Sequence, residues 1–175
     1  MKKIFLSAFA VIGMSMAANA QNASATATQS VSLTLANGIS LTFTGSGTST
    51  GGAVTLPFST VSDYANGVTS TAQQLEVQSN LDFDVAVKAN ATNFTYAGTY
   101  TTGTTMPVSG VLKLKKSTAS SYITLSTSDQ TFTTGPLGPN TVSGNTFNIA
   151  RQFTPGWSYA GGTYRLNVIY TASQQ

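Results

Sequence analysis

The sequence predicts an all-β protein of about 7–9 antiparallel strands, folded as a sandwich or barrel. Three observations carry that prediction. Short segments of period-2 alternation recur along the chain, Gly, Pro and Asn punctuate them, and no stretch sustains a 3.6-residue period. No internal repeat is visible, which argues against a propeller or solenoid.

The first twenty residues stand apart. Lys2 and Lys3 precede an apolar run from Ile4 to Met16, and Ala18-Asn19-Ala20 follows with small residues at its first and third positions. This is the plan of a secretory signal peptide with cleavage after Ala20, since the apolar run is shorter than the ~20 residues of a membrane-spanning helix. The expected organisation is therefore a signal peptide over 1–20, an N-terminal arm over 21–35 and one β-sandwich domain over 36–175. Without Lys2 and Lys3, six basic residues face five acidic ones. That balance, with no long Lys/Arg run, gives no support for nucleic-acid binding. The chain has no Cys and no His, which excludes disulfides, Cys or His nucleophiles, His general bases and His-ligated zinc. No cofactor and no metal site are expected.

In the arm, Ala23, Ala25 and Ala27 alternate with Ser24, Thr26 and Thr28, and the phase continues through Val31, Leu33 and Leu35. After Ala36-Asn37-Gly38 it resumes with Ile39, Leu41 and Phe43. Parity leaves two readings: a three-residue hairpin pairing Leu35 with Ile39, or two collinear strands joined by a linker. Gly45 to Gly52 is a Gly/Ser/Thr loop. Ala53 to Val61 reads as an edge strand carrying Val54, Leu56 and Phe58, because Pro57 cannot donate to a ladder, and Asp63 to Gly67 reads as a turn. Gln74 to Gln78 is a short strand with Leu75 and Val77 inward. Leu81 to Ala89 is the cleanest internal strand and is placed at a sheet centre, with Leu81, Phe83, Val85 and Val87 on one face. Val108 to Leu114, Tyr122 to Leu125, Thr131 to Thr133 and Thr146 to Phe153 complete the middle of the chain. The last stretch reads as one strand, with Gly162, Tyr164, Leu166, Val168, Tyr170 and Ala172 in a single series after the turns at Pro155-Gly156 and Gly161-Gly162.

Chemistry-bearing residues are sparse. Asp82 and Asp84 share the outer face of a strand and read as solvated carboxylates balanced by Lys88, because no ligand-rich loop stands nearby. Among Asp63, Glu76, Asp82, Asp84 and Asp129 no spacing selects the pair that glycoside hydrolysis needs, so the chain reads as a non-enzyme. Lys113, Lys115 and Lys116 read as protection against edge-to-edge aggregation. Trp157 and Tyr159 are spaced to share a face and to cap one end of the core. Together with Tyr96 and Tyr100 they are the candidates for a sugar-stacking surface.

Two stretches resemble a known family. Ala23 to Thr28 leading into Val31, Leu33 and Leu35, and Tyr159-Ala160-Gly161-Gly162-Thr163-Tyr164 running into the alternating last strand, are similar to chaperone–usher fimbrial subunits. The likeness is greatest to the cysteine-free branch that forms thin, capsule-like fibres. Gly162 is the fourteenth residue from the C-terminus, where that family has a Gly, and Tyr164, Leu166, Val168 and Tyr170 follow in phase. The penultimate residue is Gln174, where the family tends to have an aromatic. The resemblance implies an immunoglobulin-like sandwich completed by a donor strand from a neighbour. The arm residues Ala23, Ala25, Ala27, Val31, Leu33 and Leu35 would donate, and the last strand from Gly162 to Tyr170 would line the acceptor groove. It also implies a head-to-tail homopolymer, a periplasmic chaperone and an outer-membrane usher as partners, and a cell-surface fimbria as destination. The competing expectation is a monomeric cell-surface module that binds carbohydrate or peptidoglycan through its aromatics.

Overall fold

The computed structural model describes residues 26–44 and 50–175, with backbone alone at 71 and 72. The expected signal peptide, Ala23, Ala25 and most of the Gly45 to Gly52 loop lie outside the described residues. The chain divides into two units, Met1–Leu35 and Ala36–Gln175. In the first, residues 26–35 belong to no helix or strand, and Val31, Leu33 and Leu35 are 85%, 82% and 75% exposed.

The second unit is an antiparallel β-sandwich. Its strands are β1 (Ile39–Phe43), β2 (Val68–Ser79), β3 (Phe83–Ala89), β4 (Thr95–Ala97), β5 (Leu112–Lys116), β6 (Ile123–Thr124), β7 (Gln130–Gly135), β8 (Thr146–Phe153), β9 (Thr163–Arg165) and β10 (Val168–Gln174). Two short helices, α1 (Val61–Asn66) and α2 (Val108–Val111), interrupt them. One sheet has the order β1-β2-β8-β5-β6, the other β10-β3-β7, and β4 pairs with β9 in a separate ribbon. Period-2 alternation explains the core. Phe83, Val85, Val87 and Ala89 of β3 are buried while Asp84, Ala86 and Lys88 are not, and the same alternation sends Leu75 and Val77, Leu112 and Leu114, and Phe147 and Ile149 inward from the opposing sheet. As expected, β3 is a central strand, between β10 and β7.

The all-β sandwich is as expected, and the ten strands of the described residues include three short ones, β4, β6 and β9, of two or three residues each. Other expectations need correction. The strand expected over Ala53 to Val61 is not formed. Instead, a capping box starts α1: the Thr60 hydroxyl accepts from Asp63 N (3.2 Å), and the Asp63 carboxylate accepts from Thr60 N (2.8 Å) and Ser59 N (2.9 Å). These local bonds outcompete a ladder that Pro57 had already weakened, and Val61 ends up exposed. The short strand expected at Gln74 to Gln78 is the end of the twelve-residue β2. Its polar first half pairs with β8 through the backbone, with an irregularity between Ser70 and Gln73. Val108 is buried as expected but sits in α2, so the strand begins only at Leu112.

The hairpin between Leu35 and Ile39 is not formed. β1 pairs with β2, matching Leu41 with Val77 and Phe43 with Leu75, and residues 31–35 belong to no strand. The single last strand is broken at Leu166-Asn167. β9 pairs with β4 and β10 with β3, because Asn167 is tied to Asn90, whose Oδ1 accepts from Asn167 N (3.0 Å) and whose N–H donates to Asn167 O (3.0 Å).

Candidate functional site: an open seam between two strand edges

β1 and β10 are terminal strands of different sheets, and they face each other across the sandwich. Main-chain directions follow from the register. Asn90 N donates to Asn167 O and Gln175 N to Asp82 O, so the odd-numbered residues of β10 turn their backbone groups toward β3. Val168, Tyr170 and Ala172 therefore turn theirs toward the free edge. Among the described residues no strand pairs with that edge, nor with the outer edge of β1.

The side chains along this seam are apolar but only half buried. Leu41 and Phe43 from β1 and Val168, Ile169 and Tyr170 from β10 line a cavity of about 220 Å³. Phe43 meets Tyr170 edge to face, with ring centroids 6.1 Å apart. Leu41, Phe43, Val168, Tyr170 and Ala172 all pack against the core without being enclosed by it, whereas Leu75, Val77, Val85 and Val87 behind them are fully buried. These side chains form the half-covered margin of an otherwise enclosed core.

The seam closes at one end. Gln174 continues the inward series of β10, and its Nε2 donates to Gly38 O (3.0 Å), Ser79 Oγ (3.0 Å) and Asn80 Oδ1 (2.8 Å). Asn80 holds the same corner. Its Oδ1 accepts from Gly38 N (2.8 Å), its Nδ2 donates to Ala36 O (2.9 Å) and its N–H to Gly38 O (3.1 Å). The penultimate Gln174 thus stitches the ends of β1 and β10 together with polar bonds. Its place in the period-2 series was visible in the sequence, but its partners were not.

Behind Tyr170 lies a residue that the sequence reading passed over. Arg151 on β8 is 5% exposed, and its Nη2 donates to Gln73 Oε1. Its Nη1 has no hydrogen-bond partner, nor does the buried Tyr170 hydroxyl. Burial lowers the pKa of the guanidinium. It pushes that of Tyr170 up to about 12, against the opposing pull of the Arg151 charge. The two groups sit close enough to feel each other's charge without completing a hydrogen bond. Arg151 shares the parity of Phe147, Ile149 and Phe153, and that parity was the signal for an inward arginine.

The remaining candidates disperse. Gly162 and Tyr164 belong to the β4–β9 corner and not to the seam. The ring of Tyr96 packs against Tyr164 (5.1 Å) and its hydroxyl donates to Gly161 O (2.9 Å), so any Cβ at Gly162 would run into that ring. Burial raises the pKa of Tyr164. Trp157 is 64% exposed and stacks on Tyr64 of α1 (4.9 Å). Tyr159 packs against the core and Tyr100 is exposed. Trp157 and Tyr159 therefore do not cap the core jointly, and the ring contacts of Tyr96 and Trp157 are made with other residues, not with each other.

Asp82 and Asp84 accept from Leu137 N and Gln175 Nε2, both at 2.9 Å or less. Lys88 bridges to Asp129 (3.0 Å), not to this pair. Lys115 and Lys116 lie over the Tyr122 and Phe147 rings. Among the described residues no group of three or more His, Cys, Asp or Glu converges, and no helix is long and apolar enough to cross a membrane. No protein-family model matches the chain, and no curated protein matches its sequence.

Proposed function

We propose that the chain is an exported structural subunit of a surface fibre, non-catalytic, in which the β1/β10 seam of one copy is filled by the N-terminal arm of the next. The observation that carries this reading is the seam itself: the free edge of β10 beside a half-covered apolar strip that β1 shares. An added strand would satisfy the free backbone groups of Val168, Tyr170 and Ala172 and cover the strip at the same time. The arm has matching content. Val31, Leu33 and Leu35 alternate with Ser32 and Thr34, so they would share one face of an added strand; they are exposed, and burying each contributes roughly 1.5–3 kcal/mol. Ala27 and its alanine neighbours offer far less.

Transfer of one arm per copy gives a head-to-tail chain that does not close, hence a fibre. The likeness to chaperone–usher subunits extends this proposal to a periplasmic chaperone and an outer-membrane usher as assembly partners, and to adhesion or biofilm support at the cell surface as the role. The carbohydrate-binding alternative draws less support, since the rings of Tyr96 and Trp157 pack on Tyr164 and Tyr64 and Tyr159 packs against the core.

The test is size. Exported protein is compared unheated and boiled on a denaturing gel, with electron microscopy of the unheated sample. A ladder that collapses on boiling, thin fibres, and loss of both in Leu33→Asp are expected. A folded monomer with no ladder would overturn the proposal.

A further inference from the structure

The seam is apolar along most of its length and polar at one end, and the arm carries the same pattern in reverse order. On β10 the inward series runs Val168, Tyr170, Ala172, Gln174, with the last engaged in the polar corner of Gly38, Ser79 and Asn80. In the arm, the series that shares a face runs Ala27, Gln29, Val31, Leu33, Leu35. Gln29 is the polar member of that series, and it is exposed.

We propose that Gln29 of one copy seats against the Gln174 corner of the next and thereby sets the register of the joint. The arm then lies antiparallel to β10, with Val31, Leu33 and Leu35 opposite Ala172, Tyr170 and Val168. This deepens the fibre reading and rests on it.

The competing arrangements each conflict with an observed feature of the seam or the arm. Sliding the arm by two residues in one direction places the Gln29 carboxamide over the apolar strip, where it finds no partner. Sliding it the other way sets Val31 against the polar corner and brings Asn37, whose neighbours are bonded to Asn80 of their own domain, opposite Val168. A slip of one residue turns Val31, Leu33 and Leu35 outward. A parallel arrangement sets Gln29 opposite Leu166 and brings Asn37 to Gln174. Asn37, however, lies between Ala36 and Gly38, both of which are bonded to Asn80 of their own domain.

The chain has no cysteine, so engineered pairs read the register directly. In the proposed register Ser32 lies opposite Thr171 at a position where the backbones exchange no bonds. Such pairs have Cα atoms about 4.5 Å apart, within disulfide range. The double variants S32C/T171C, S32C/I169C and S32C/S173C are exported, oxidised, boiled and run without reductant.

The Thr171 pair is expected to give about tenfold more cross-linked ladder than either neighbour, the preference expected from one unpaired carboxamide. Adding Gln29→Leu is expected to spread the cross-linking over the neighbouring pairs. If the cysteine-free chain forms a boil-sensitive ladder but another pair dominates, no pair cross-links, or Gln29→Leu leaves the preference intact, the register proposal is overturned. If the cysteine-free chain forms no such ladder, the fibre reading falls and the register falls with it.

Discussion

Replacing Arg151 with Met is expected to stabilise the domain. Arg151 occupies an inward position of β8 with 5% of its surface exposed, and among the described residues no carboxylate bridges to it. Its Nη2 has one neutral partner, Gln73 Oε1, and its Nη1 has none. Removing a guanidinium from water costs several kcal/mol even after relaxation. A hydrogen bond involving a charged group returns about 1.5–3 kcal/mol. Met keeps most of the aliphatic volume, adapts to an irregular gap and carries no charge. Gln73 is only partly buried, so water can replace its lost partner. The balance favours Arg151→Met by about 1–3 kcal/mol, and at about 2–4 °C per kcal/mol for a domain of this size Tm should rise by several degrees. Thermal unfolding followed by circular dichroism, with urea denaturation to confirm an unchanged slope, measures this. A fall of more than about 1 kcal/mol would refute the reasoning, because it would mean that the contacts among Arg151, Gln73 and Tyr170 outweigh the desolvation they impose.

Three further outcomes are expected. Tyr170 has its folded pKa raised to about 12 from the ordinary 10.0, so its contribution is complete below pH 10 and drains away between pH 10 and 12, as the unfolded chain ionises first. Alkaline unfolding in that window should diminish in Tyr170→Phe. Gly162→Ala forces a methyl into the Tyr96 ring and should cost about 1–3 kcal/mol, read as a lowered urea midpoint. Asn80→Ala removes the bonds that hold Ala36, Gly38 and Gln174 together, and hydrogen exchange at the Gly38 amide should accelerate at least tenfold while the β3 amides stay protected.

The legible parts of the fold were those where alternation and burial coincide. Leu75 and Val77, the β3 series, and Leu112 and Leu114 could be placed from parity alone because a one-residue slip would expose all of them. The first half of β2 leaves little sequence signal because Thr69 to Gln73 shows no apolar alternation, and backbone pairing with β8 leaves no mark in composition. The stretch before α1 reads as a strand because Val54, Leu56 and Phe58 alternate, while the decisive signal is the Thr60/Asp63 capping pair that begins two residues after Phe58. At the seam, the apolar members were visible as a series, but that β1 and β10 would be edges of different sheets is a matter of topology. The partners of Gln174 lie 94 to 136 residues away in the chain, beyond any local pattern.

The bonds around Asn80 bear on how the protein ages. Asn37-Gly38 is the dipeptide most prone to spontaneous succinimide formation, in which the Gly38 nitrogen attacks the Asn37 carboxamide and expels ammonia. That reaction needs a free, deprotonable amide and a backbone able to swing the nitrogen toward the side chain. Gly38 N is occupied by Asn80 Oδ1, and the peptide oxygens on either side, Ala36 O and Gly38 O, are held as well. A connection that chemistry would otherwise convert over time to aspartate or its β-linked isomer is thereby kept intact for as long as the corner stays folded.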